Sequence, residues 1–286
     1  MEFRQITVVG TGLIGGSFAL ALRRSRFAKR IVGCDSEIVL ARARELGVID
    51  EGVGDAVEAA RSSDAVVLAV PIGAILDLIP RLAPALTPHA LLTDVGSTKT
   101  EIVGCAIRVF GAEGPRCFLP GHPMAGKEDS GIEHADADLF RGAAWLVTPL
   151  PGQELVEPRI AAFCRLIESI GARVVVLDAE RHDRLCAWAS HLPQMLSTAL
   201  AAELADLGEN LRAVSGGGLA DMTRLASSPY SLWRDIAMTN TKNIEEALLR
   251  LEHRLAHMRE NLRTLELRAE FDHAQEFRIR HRDPET

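Results

Sequence analysis

The chain has 286 residues, 47% of them hydrophobic and 25% charged, with a formal net charge of −7. That is the make-up of a globular protein with a sizeable core and a length suited to two domains. The negative balance argues against general nucleic-acid binding and no apolar run could span a bilayer; Met1-Glu2-Phe3-Arg4 leads straight into a strand without a signal peptide, so a cytoplasmic location is expected.

Ile6 to Gly10 is an apolar strand and Gly15 to Ser25 a helix, with Gly10-Thr11-Gly12-Leu13-Ile14-Gly15 at the turn. This Gly-x-Gly-x-x-Gly run, placed between strand and helix, is the opening of a dinucleotide-binding unit. Gly10 permits the tight turn, Gly12 lets the backbone approach a pyrophosphate, and Gly15 lets the helix pack close to the strand. The backbone N–H groups that open the helix, at Leu13 and Ile14, then face the phosphates. Lys29 to Cys34 reads as a second strand ending at Asp35. An acid there accepts bonds from the ribose 2′-hydroxyl and repels a 2′-phosphate, so NAD is expected over NADP. The alternative for Asp35 is an ordinary turn acid after a strand.

Ser36 to Leu46 reads as a helix with Ser36 as N-cap. Asp64 to Val70 is a buried parallel strand that stops at Pro71, and Val70 and Pro71 are expected to line the cofactor. A helix follows from Ile72 to Leu82, then a strand from Ala90 to Thr93 that closes on Asp94-Val95-Gly96-Ser97-Thr98-Lys99. Phe118 to Pro120 leads into a loop, Gly121-His122-Pro123-Met124-Ala125-Gly126. Ala144 to Thr148 and Arg173 to Leu177 are late strands. The alternation predicts an α/β fold: a Rossmann-type doubly wound sheet over residues 1–175, with helices on both faces.

Residues 176–286 read as an all-α domain. Glu180 to Asn210 is helical, with Pro193 as a kink or a first turn. Ser215-Gly216-Gly217-Gly218 interrupts it, and Leu219 to Ala226 and Ser231 to Asn240 resume. Asn243 to Glu270 reads as one long helix with a stripe of Ile244, Leu248, Leu251, Leu255, Met258, Leu262 and Leu265. The stripe fits a homodimer seam, and the polar tail after Phe271 is expected to fray.

Ligands of open parallel sheets bind beyond the carboxyl ends of the strands, where the glycine loop and the loops at Asp94–Lys99 and Gly121–Ser130 converge. His122 is the acid/base candidate, expected on a loop; a structural histidine is the alternative. Ser97 could bond the reacting hydroxyl, or Ser97 or Thr98 could cap the next helix. Arg224 and Arg234 compete for a substrate carboxylate, and His191 on an Ala/Leu helix reads on its own as structural. Cys34, Cys105, Cys117, Cys164 and Cys186 are scattered, so neither a disulfide framework nor a metal site is expected. The residues alone reach an NAD-dependent oxidoreductase for a small carboxylate.

The glycine loop, Asp94-Val95-Gly96-Ser97-Thr98-Lys99, Gly121-His122-Pro123-Met124-Ala125-Gly126, Ser190-His191-Leu192-Pro193 and Trp233-Arg234-Asp235-Ile236 follow in that order. Their order and spacing resemble the prephenate and arogenate dehydrogenases of tyrosine biosynthesis, over about residues 5 to 270. The resemblance implies NAD-dependent oxidative decarboxylation of prephenate to 4-hydroxyphenylpyruvate or of arogenate to tyrosine. It implies that His122 takes the ring hydroxyl proton, Ser97 orients that hydroxyl, and Arg224 holds a substrate carboxylate. Ser190 and His191 become cleft residues, and Trp233 and Asp221 residues of the cleft or the dimer seam. Gln194 stands where many relatives have a histidine facing the substrate side chain, which leans the expectation towards arogenate or dual use. Ala220 stands where a basic residue is common. The length leaves room for neither a mutase nor a regulatory domain, so tyrosine inhibition is expected to act at the active site. The alternatives are a dehydrogenase for 4-amino-4-deoxyprephenate, a β-hydroxyacid or pyrroline-carboxylate reductase, and a non-catalytic NAD-binding dimer.

Overall fold

A computed structural model describes residues 3–26, 30–127, 129–208 and 211–281. Met1, Glu2, Lys29, Glu128 and Asn210 lie outside the described residues, as does the tail beyond 281. The chain packs as two compact units, Met1–Thr241 and Lys242–Thr286.

The first unit is built on six parallel strands in the order β3-β2-β1-β4-β5-β6. They are β1 (Gln5–Val9), β2 (Arg30–Cys34), β3 (Glu51–Val53), β4 (Ala65–Leu68), β5 (Leu91–Asp94) and β6 (Phe118–Leu119). The helices between them are α1 (Leu13–Ser25), α2 (Glu37–Glu45), α3 (Ala56–Ala60), α4 (Ile72–Leu82), α5 (Thr100–Phe110) and the single turn α6 (Gly114–Cys117). The β3 and α3 elements are short and carry no sequence pattern of their own. Strand order reverses between β1 and β4, and a crevice for ligands opens at the carboxyl ends of that pair. The central strands β1, β4 and β5 are buried on both faces, which is why they read as largely apolar runs.

The late strands do not extend this sheet, contrary to the expectation of one doubly wound sheet. Instead β7 (Gly121–Pro123), β8 (Ala144–Val147) and β9 (Arg173–Val176) form a separate three-stranded sheet. The segment expected as a loop around His122 is therefore strand β7, antiparallel to β8, with His122 opposite Leu146. Pro120 has no N–H to give, so the ladder with β5 ends and the chain changes sheets. The helix α7 (Pro158–Ser169) crosses from β8 to β9, which run parallel. Buried Trp145 of β8 packs against Phe18 of α1 and Phe140, so β8 and its neighbour β7 are seated on the helix that the glycine loop opens.

Helices α8 (Ala179–Cys186), α9 (Leu192–Asp206), α10 (Gly217–Thr223) and α11 (Tyr230–Thr239) complete the unit. A π turn over Ala187–His191 joins α8 to α9, with Pro193 in the first turn of α9 rather than at a mid-helix kink. Arg224–Ser227 is a 3-10 turn, and α10 starts within the glycine run.

The second unit is not one long helix but two, α12 (Thr241–Glu260) and α13 (Leu265–Arg280). The break has a local cause: Asn261 turns its amide onto the His257 carbonyl at 2.9 Å, and Thr264 caps α13 by accepting from Glu266 N. Arg254 on α12 pairs with Glu270 on α13 at 2.5 Å. Leu262 thus falls in the turn, and the segment after Phe271, expected to fray, is helical to Arg280. Among the described residues no helix is long and apolar enough to cross a membrane.

Candidate active site

At the glycine loop, Gly10 has φ +90°, and a Cβ there would lie 2.3 Å from the Ala69 carbonyl oxygen. A Cβ at Gly15 would lie 1.9 Å from the Gly10 oxygen, so this glycine lets α1 close on the turn. A Cβ on Gly12 would meet no atom within 4 Å. That space is open, as the approach of a pyrophosphate needs. No side chain caps α1, and the N–H groups of Leu13 and Ile14 in its first turn have no partner within the helix. Val70 lies beside Gly10, and Pro71 occupies the N-cap of α4. Asp35 lies just past the end of β2, where it accepts from Thr11 N at 2.8 Å and from Ser36 N at 2.7 Å. Its carboxylate is thereby aimed at the rim of the turn, and a carboxylate has acceptor capacity beyond these two bonds. Ser36 holds the N-cap position of α2 but makes no side-chain cap bond. Open space at Gly12, uncapped N–H groups and a fixed acid suit a dinucleotide with a free 2′-hydroxyl.

The β5–α5 loop carries a buried ion pair, absent from the sequence reading. Lys99 and Asp94 are fully buried and paired, and the Lys99 ammonium also donates to the Gly121 carbonyl at 2.7 Å. Asp94 accepts from Gly96 N at 2.8 Å and Gly121 N at 3.3 Å, so one carboxylate pins this loop to the start of β7. Burial pulls the Lys99 ammonium below its usual range, against the pull of Asp94. Ser97 lies in the same loop and is half-buried. Thr98 does not cap α5, because its hydroxyl is bonded to Thr239 of α11 at 2.7 Å.

That cap comes from α8. Asp183 accepts from Lys99 N at 2.7 Å and Thr100 N at 2.9 Å, satisfying the start of α5 across 84 residues of sequence. The same carboxylate lies 2.8 Å from His182 Nδ1, and His182 Nε2 lies 2.9 Å from His122 Nδ1. An ionised carboxylate can only accept, which puts a proton on His182 Nδ1. His182 Nε2 then accepts from His122 Nδ1, and the remaining nitrogen of His122, Nε2, holds a lone pair. The chain Asp183–His182–His122 therefore presents His122 Nε2 as a base. Burial, joined by His182, Lys99 and His191, drives the His122 pKa well below 6.5, so the ring is neutral at neutral pH. His122 is thus buried, against the expectation of an open loop histidine.

Cys186 Sγ lies 3.6 Å from His182 Nε2 and 4.0 Å from His122 Nδ1. These three atoms are close enough to share a soft cation. Both nitrogens are already used in the relay, however, and burial holds the thiol up at about 12, far from a thiolate.

The π turn sets Ser190 half-exposed and buries His191. The His191 ring meets Trp233 edge-on at 5.9 Å. Gln194 is buried, and its amide nitrogen donates to the Leu225 carbonyl at 2.9 Å and to Thr198 Oγ1 at 3.1 Å. Arg224, next to Leu225, is exposed, as is Asp221. Of the two competing arginines, Arg234 is held by Asp235 at 2.9 Å, and Asp235 in turn caps α4 through Gly73 N at 2.9 Å.

His182, Asp183 and Lys99 were missed in the sequence. The one signal was the i, i+4 spacing of His182 and Cys186, which puts both on one face of α8.

Two family descriptions match the chain: the prephenate dehydrogenase nucleotide-binding domain over residues 18–176 and the prephenate dehydrogenase dimerization domain over residues 178–274. The prephenate dehydrogenase of Lactococcus lactis is 34% identical over 90% of this chain and 70% of its own length. The cyclohexadienyl dehydrogenase of Zymomonas mobilis is 33% identical, over 83% of this chain and 81% of its own. The crystal structure of A. aeolicus prephenate dehydrogenase in complex with hydroxyphenyl propionate and NAD+ is 32% identical, with a TM-score of 0.85 and 98% of each chain covered. With matches of that extent over both its halves, the chain belongs to the prephenate dehydrogenase family.

Proposed function

We propose that this protein catalyses the NAD-dependent oxidative decarboxylation of arogenate, prephenate or both, with His122 Nε2 as the base. The observation that carries the assignment of the base is the Asp183–His182–His122 chain, which leaves a lone pair on that nitrogen. Bound NAD accepts the hydride from the ring carbon that bears the hydroxyl. His122 takes the hydroxyl proton as that hydride leaves, and Ser97 orients the hydroxyl. The ring carboxylate departs as carbon dioxide and its electron pair aromatises the ring. The proton held on His122 then returns to the phenolate oxygen, so base and substrate close the cycle without a net proton. His182 and Asp183 steady the imidazolium in between.

Ser190, His191, Trp233 and Arg224 are assigned to the substrate, with Gly10, Gly12, Leu13, Ile14, Gly15, Asp35, Val70 and Pro71 on the cofactor. Residues 176–286 are assigned to the substrate side and to a homodimer. Gln194 favours arogenate. The Leu225 carbonyl can only accept, so the Gln194 amide nitrogen must face it, and Thr198 takes the second hydrogen. What Gln194 has left is its oxygen, an acceptor that suits the ammonium of arogenate and not a keto oxygen. Tyrosine carries the same ammonium and would compete at the same place. The test is NADH formation with each substrate offered separately: turnover of arogenate with the higher kcat/KM supports both readings, and turnover of neither rejects the activity.

A further inference from the structure

Asn240 closes α11 and is 3% exposed. Its Nδ2 donates to the Asp183 backbone oxygen at 2.8 Å and lies 3.1 Å from His191 Nδ1. A carbonyl oxygen only accepts, so the amide cannot be turned over: its nitrogen, not its oxygen, faces both partners. That nitrogen carries two hydrogens, one for Asp183 and one for His191. His191 Nδ1 must then supply a lone pair, and the ring proton sits on Nε2. Burial pushes the His191 pKa down to about 4, so the ring stays neutral at neutral pH.

His191 Nε2 is buried and bonds to no described residue, and the same holds for Trp233 Nε1. These are two N–H donors on rings in edge contact. A buried donor without an acceptor is costly, which points to a ligand that supplies one.

We propose that Asn240 is a positioning residue for substrate recognition: it locks His191 into the tautomer with hydrogen on Nε2, so that His191 and Trp233 offer a carboxylate two donors and no acceptor. This rests on the reading that both rings face the substrate. Asn240 itself touches neither substrate nor cofactor and acts through His191.

The experiment is a long-range ¹H–¹⁵N spectrum of the full-length protein labelled at histidine, with the His191 signals identified by their loss in His191→Gln. In the wild type at neutral pH, His191 shows protonated Nε2 and unprotonated Nδ1. In Asn240→Ala that pattern gives way to mixed tautomers, and KM for the turned-over substrate rises about tenfold or more, with kcat little changed. In Asn240→Asp, the carboxylate accepts from Nδ1 and the pattern inverts. A wild-type His191 protonated on Nδ1, or an Asn240→Ala protein with wild-type tautomer and wild-type KM, overturns the proposal. Because the wild-type spectrum needs neither turnover nor a variant at Asn240, a failure of the lock is distinguishable from a failure of the assigned activity.

Discussion

His122 Nδ1 stands 2.9 Å from His182 Nε2, and this bond joins strand β7 to helix α8. Behind it, Asp183 is held by the first N–H groups of α5. The proposed base is therefore oriented by a segment remote in sequence, and its protonation state is tied to how that segment packs.

The acidic limb of kcat/KM lies below the ordinary histidine value of 6.5, because His122 must be neutral to accept a proton and its pKa is driven well down. A profile flat from neutrality down to that value, falling only below it, is the expected outcome. A limb above 6.5 would place the titrating group elsewhere.

Stability follows the same groups. His122, His182 and His191 all have lowered pKa values in the fold, chiefly from burial. Below pH 6.5 the unfolded chain binds protons that the folded one refuses, so stability falls as pH falls and is restored above it. Each histidine contributes a slope of up to about 1.4 kcal/mol per pH unit in that window. Denaturation midpoints between about pH 7 and 5 measure it, and replacing His191 with Gln lessens the slope.

The three glycines of the cofactor turn differ in kind. Gly15→Ala drives a Cβ into the Gly10 carbonyl, so it destabilises the fold by about 3 kcal/mol or more. Gly12→Ala meets open space, so the thermal midpoint barely moves while NAD affinity drops about tenfold or more. Calorimetry and NAD titration separate the two effects.

Lys99→Met leaves Asp94 buried without its cation and costs about 3–5 kcal/mol. Replacing both members, Lys99→Met with Asp94→Asn, recovers part of that stability. Urea unfolding of the two variants reads the difference directly.

Gln194→His replaces a fixed acceptor with a ring that can donate. The ratio of kcat/KM for arogenate over prephenate falls about tenfold in this variant. An unchanged ratio removes Gln194 from substrate choice.

Local chemistry made the cofactor half legible. The strand, glycine turn and helix around Gly10–Gly15, and the acid at Asp35, are contiguous patterns that need no tertiary information. His122 is a candidate for the same reason, from its neighbours Gly121 and Pro123, but its strand is not legible there, since β7 pairs with β8 more than twenty residues on. The relay is hidden because Arg181-His182-Asp183-Arg184 sits inside a helical stretch with no local pattern of its own, and only the packing of α8 brings Asp183 to the start of α5. Lys99 looked like one more polar loop residue, and only the fold brings the Gly121 carbonyl to its ammonium. The long apolar stripe concealed the break at Asn261–Thr264, where side chains compete for backbone groups.

Whether Asp183, His182 and His122 act as one unit is read most directly by a double-mutant cycle on kcat with His122→Asn and His182→Asn under saturating NAD. A relay of this kind loses about 10²–10⁴ in kcat for His122→Asn, a similar order for His182→Asn, and nothing further in the double variant. Losses that multiply, or a His182→Asn enzyme as fast as the wild type, would contradict it.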